Sequence, residues 1–124
     1  MGKEQWTQEK LKRYLKEGRG QGTGANYQPW TKISDFSSIG RASRIHGLKT
    51  HRIHHLHSDI QLRAFLIFEW CDRVVDIRES FPLLDVLEVI DEKKDLRFDK
   101  FRDKETGTPL VITTNFLLTT LDQD

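Results

Sequence analysis

Apolar residues crowd into one stretch above all, SDIQLRAFLIFEW from Ser58 to Trp70. The near-continuous run of Ile60, Leu62, Phe65, Leu66, Ile67 and Phe68 predicts a helix buried on most sides. Ser58 followed three residues on by Gln61 marks its start as a capping box. At about 100° per residue, Asp59 and Arg63 share one side and Gln61 falls roughly opposite Asp59. A polar side chain among apolar ones must either find a partner or belong to a site. Closing the capping box is one such use for Gln61.

Shorter elements surround this helix. Thr7–Lys16 predicts a helix with Leu11, Tyr14 and Leu15 on one side and Lys12, Arg13 and Lys16 outward. Glycine then recurs at 18, 20, 22 and 24 in EGRGQGTGAN, a stretch that holds regular structure only at a cost. Its amides could approach a phosphate, but no strand precedes it and no Gly-Lys-Ser/Thr follows. A mobile surface loop is an equal expectation, with Tyr27, Pro29 and Trp30 pinning it to the body. Arg44–His46 and Arg52–Leu56 predict two short strands joined through Gly47–Thr50. Arg73–Glu79 predicts a strand with Val74, Val75 and Ile77 inward, broken at Phe81-Pro82. Asp85–Lys94 predicts a short helix, and Asp91–Glu105, with six acids and six bases, a solvated segment. Thr108–Thr120, with Asn115 in the middle, predicts a central strand. No repeats or low-complexity tail are present.

Composition narrows the class. At 124 residues, 36% hydrophobic and 31% charged, the chain makes one soluble domain, residues 1–124. No apolar run approaches the roughly 20 residues that span a bilayer. GKEQWTQEK after Met1 lacks a signal peptide's apolar core, and Cys71 is alone, so a cytoplasmic location with no membrane partner is expected. The net charge of +1 hides an asymmetry: eleven Lys/Arg face four acids from Met1 to His57, giving +7. That basic half suggests a polyanion-facing surface.

All five histidines (His46, His51, His54, His55, His57) lie with Arg41, Arg44, Lys49 and Arg52 between Ser38 and His57. No Asp, Glu or Cys at ligand spacing accompanies them, so a zinc module is a remote reading. Phosphate and sugar contacts by a basic hairpin are the better one, with His55 and His57 as core or capping residues. Arg19, Arg41, Arg44, Lys49, Arg52 and His54 are the candidate DNA contacts, from charge and position.

Three stretches in order, EGRGQGTGANYQPW (17–30), SIGRASRIHGLKTHRIHHLHSD (38–59) and FEWCDRVVDIRESFPLL (68–84), carry a family likeness. Together they resemble the TnsA-type endonucleases of heteromeric bacterial transposases, with long shared runs such as EGRGQG and DIRE. The resemblance implies an α/β fold: a restriction-endonuclease-like PD-(D/E)XK core, a mixed sheet flanked by helices. It also implies a bacterial, N-terminal endonuclease domain that cuts the strand left uncut at transposon ends by a TnsB-type DDE transposase. A TnsC-type AAA+ regulator would control the pair. The family's C-terminal winged-helix-type domain has no counterpart here.

Such a nuclease hydrolyses a phosphodiester with Mg²⁺ held by carboxylates and a lysine nearby. The family's helix Glu falls on Gln61 and its strand Asp on Asn115. Its lysine strand would follow Asp124, so the core reads as truncated before it, and the strand of Asn115 would keep an open edge. Two amides in place of two carboxylates bring no negative charge, so Mg²⁺ should bind weakly or not at all. The resemblance therefore implies a chain that is catalytically silent as written. Shape-preserving loss of charge at both positions is more typical of deliberate disarming than of drift to a natural relic. Glu69 and Asp76 lie near in sequence; Glu69 is expected to be structural. The alternative is a non-enzymatic DNA-binding and assembly subunit.

Overall fold

Thr7 opens the first helix, α1 (Gln8–Lys16), where its Oγ1 accepts from the Lys10 amide at 3.2 Å. Glu9 in the first turn and Lys16 in the last complement the helix dipole. The computed structural model describes residues 6–35, 42–85 and 101–121. Leu11 and Tyr14 of α1 are buried, while Leu15, expected beside them, is exposed; at about 100° per residue it lies on the far side of Leu11 from Tyr14, at the edge of the buried face. Trp6, Tyr14 and Trp30 meet edge to face, with Leu84 and Val111 against them.

The glycine-rich stretch forms a tight loop bound to the body. Gly20 adopts φ +80, and any Cβ there would overlap the Pro82 ring. Tyr27, Pro29 and Trp30 are buried, as expected. The Tyr27 hydroxyl donates to the Glu79 carbonyl at 2.8 Å, and the Trp30 amide to that of Ser80 at 2.9 Å.

The basic segment makes the expected antiparallel hairpin of β1 (Ser43–His46) and β2 (Ile53–Leu56), paired from Ser43↔Leu56 to His46↔Ile53. Its tip is held by Glu69, whose carboxylate accepts from the amides of Leu48 (2.7 Å) and Lys49 (3.3 Å). Glu69 sits at the end of α2 (Asp59–Glu69), so the hairpin and helix are locked together.

Helix α2 is less buried than its sequence suggested. Phe65 is fully buried, but Ile60 and Ile67 are 77% and 68% exposed. The described strands lie along one side of the helix, so Leu62, Phe65 and Phe68 take the core, while Ile60 and Ile67 face outward.

Two further strands complete the core: β3 (Val74–Pro82) and β4 (Thr113–Thr120), antiparallel from Val74↔Thr120 to Pro82↔Thr113. Phe81-Pro82 does not break β3; Pro82 falls at its last position, where a proline is tolerated. A bulge between Val74 and Asp76 turns Val75 outward, against the expectation. β4 begins at Thr113, later than expected, and among the described residues it pairs with β3 alone, so it is an edge strand and not a central one. Leu56, Phe65, Val74 and Ile77 form the core, with Phe116 and Leu118 packed against it. Fully burying each such side chain contributes about 1.5–3 kcal/mol.

The content is mixed α/β, as expected. Where one mixed sheet was anticipated, the described residues hold two separate antiparallel pairs. Arg41, most of the expected Asp85–Lys94 helix and the charged run up to residue 100 lie outside the described residues.

Candidate active site

The turn from β2 into α2 places Gln61. Ser58 caps the helix, its Oγ accepting from the Gln61 amide at 3.1 Å. The Gln61 side chain reaches back in return: its Oε1 accepts from the His57 amide at 2.8 Å, one residue before the usual capping-box partner. Its Nε2 then donates to Asn115 Oδ1 at 3.2 Å. Gln61 thus closes the helix cap and touches β4 with the same amide. Asn115 lies between the Phe116↔Glu79 and Thr114↔Phe81 pairs, is exposed, and meets Gln61 across 54 positions of sequence.

These two side chains do not fit a divalent cation. Mg²⁺ is held by hard oxygens, usually carboxylates, in near-octahedral array. Here the Gln61 oxygen is taken by a backbone N–H and the Asn115 oxygen by Gln61 itself. Among the described residues no three His, Cys, Asp or Glu side chains gather to hold a metal, the histidine-rich hairpin included.

Three of the expected DNA contacts occupy other places. Arg19 is buried, stacked 3.7 Å over the Tyr14 ring and bonded to Glu17, the Trp30 carbonyl and both oxygens of Asp35. Arg52 is buried as well. Its Nε donates to the Gly24 carbonyl, and its terminal nitrogens to the Ile53 and Ile77 carbonyls and both oxygens of Glu79, the shortest at 2.6 Å. His54 is fully buried between Glu79 (3.0 Å) and the Thr50 hydroxyl (2.6 Å). An ionised Glu79 only accepts, so His54 Nδ1 carries the proton. Gly47 packs against this ring so closely that a Cβ would collide with it. Buried charge needs a partner within the fold, and these three have theirs.

Glu79 is the centre of that cluster. Burial pushes its pKa up, but the hydrogen bonds from His54 and Arg52 outweigh burial and hold it at about 2. Its signal in the sequence was parity: in β3, Glu79 lies two residues from Ile77, on the same face.

Arg44 is exposed and Lys49 half-buried, and among the described residues neither side chain forms an ion pair that would compete with an outside anion. On the hairpin's outer face, Arg44 pairs with His55, whose Nδ1 accepts from the Ile33 amide at 3.0 Å. Burial lowers the His55 pKa, outweighing the pull of Glu79, and Arg44 adds to the lowering.

Over 74 residues the chain is 53% identical to the transposition protein TnsA of transposon Tn7 from Escherichia coli. Over that stretch the chain is similar to TnsA. The match takes in 60% of the chain but 27% of that TnsA, so the chain spans only part of its relative's length. No profile of a known protein family matches the chain. Among the described residues no helix is long and apolar enough to cross a membrane.

Proposed function

We propose that this chain is the endonuclease-type domain of a cut-and-paste transposase, resting on transposon-end DNA with its cutting centre silenced. The observation that carries this reading is the 3.2 Å bond between Gln61 and Asn115. The two positions that the TnsA resemblance assigns to metal-binding carboxylates are neighbours in space, one from a helix and one from a strand. Carboxylates at both would make the oxygen pair that a Mg²⁺-dependent hydrolase requires. Amides in their place hold each other instead. Arg44 and Lys49 are the described side chains proposed to reach DNA, with Arg41 beside them in sequence. A TnsB-type DDE transposase and a TnsC-type AAA+ regulator are the proposed partners, by the resemblance to TnsA, in the bacterial cytoplasm.

The experiment is nicking of a labelled transposon-end duplex with the partner transposase and Mg²⁺. This chain is compared with one carrying Gln61→Glu and Asn115→Asp and continued to the length of TnsA. Cleavage by the doubly substituted protein alone supports the reading.

A second reading, a non-enzymatic assembly subunit, is favoured by the outer face of α2. Ile60, Ile67 and the following Trp70 are 77%, 68% and 82% exposed, an apolar stripe suited to contact with another protein. Partner binding by both chains, with cleavage by neither, would select it.

A further inference from the structure

One backbone group fixes the orientation of both amides at the candidate site. The His57 N–H can only donate, so the Gln61 atom 2.8 Å away is the carbonyl oxygen. Gln61 therefore presents Nε2 to Asn115, and Asn115 must answer with Oδ1. Its Nδ2 is left on an exposed side chain. Gln61 retains one N–H and Asn115 two that have no partner among the described residues.

A pair of carboxylates in these places would repel each other and any approaching phosphate until a cation lay between them. The amide pair inverts that relation. It needs no cation to hold its geometry, carries no charge against DNA, and turns hydrogen-bond donors outward. Resting on the reading that this domain holds DNA, we propose that Gln61 and Asn115 form a metal-independent binding site for a DNA phosphodiester. The free N–H groups donate to its non-bridging oxygens, as neutral side-chain amides do at other protein–DNA contacts. The substitutions that remove cutting thereby leave a clamp that works without Mg²⁺.

The test is binding of a fluorescent mixed-sequence DNA duplex by anisotropy, in EDTA and in Mg²⁺, for this chain, Asn115→Asp and Gln61→Glu. The side-chain NH₂ resonances of Gln61 and Asn115 are followed by NMR in the EDTA titration. The proposal expects binding in EDTA, movement of both NH₂ signals, and affinity lowered roughly tenfold by Asn115→Asp. Mg²⁺ should recover affinity for the substituted chains and not for this one. Binding that requires Mg²⁺ in this chain, or that ignores Asn115→Asp in EDTA, overturns the phosphodiester site while leaving the DNA-holding domain intact. No binding of the duplex by any of the three overturns both.

Discussion

Arg52 and Glu79, twenty-seven positions apart, are joined by two hydrogen bonds of 2.6 and 3.1 Å in the interior, and this pair ties the hairpin to β3. Removing one partner strands the other. Glu79→Gln should destabilise the chain by about 3–5 kcal/mol, since it leaves the Arg52 guanidinium buried without its counter-charge. Urea denaturation measures this, and a loss under about 1 kcal/mol would contradict the cluster's role.

The same carboxylate sets an acid limit on stability. Its folded-state pKa, about 2, lies below the ordinary value of 4.5, so it stabilises the fold above pH 4.5. That contribution is lost as pH falls from 4.5 toward about 2. Stability measured across this window should decline in this chain, with a shallower decline in Glu79→Gln. Parallel slopes would show that other carboxylates govern the acid transition.

Arginines of this chain should divide into two groups. Arg44→Ala with Lys49→Ala should weaken DNA binding and flatten its salt dependence while leaving the melting temperature nearly unchanged. Arg19→Ala and Arg52→Ala should lower the melting temperature, because each removes a buried cation with carboxylate partners. Loss of DNA affinity from Arg52→Ala at unchanged stability would reverse the assignment.

Gly20→Ala should cost about 1–3 kcal/mol, from positive φ and collision with Pro82 together. Gly107→Ala meets open space at φ +71 and should cost about 1 kcal/mol from backbone strain alone. Equal losses at the two sites would mean that the glycine loop does not press on the end of β3.

How far these features were legible depends on the range of the interaction that creates them. The cap of α2 and the hairpin rest on neighbours in sequence, and they were readable; the aromatics after the glycine stretch were legible as anchors, but their partners at Glu79 and Ser80, some 50 positions on, were not. The burial of Arg19, Arg52 and His54 was not. A basic residue reads as surface until its acid is known, and Glu79 lies 25 residues beyond His54. Apolar residues on every side of α2 suggested full burial, whereas the described strands lie along one face. Periodicity reports what a helix could bury, and topology decides what it does. The meeting of Gln61 with Asn115 had no local signal, and only the resemblance to TnsA linked them.

Gln61 and Asn115 are proposed to be one metal site that the amides have closed. Calorimetric titration of Mg²⁺ into this chain, and into the same chain carrying Gln61→Glu and Asn115→Asp, tests it directly. Specific binding is expected for the doubly substituted chain and none for this one. Equal binding by both would mean that the cation, if any, is held elsewhere, and that the amides are incidental.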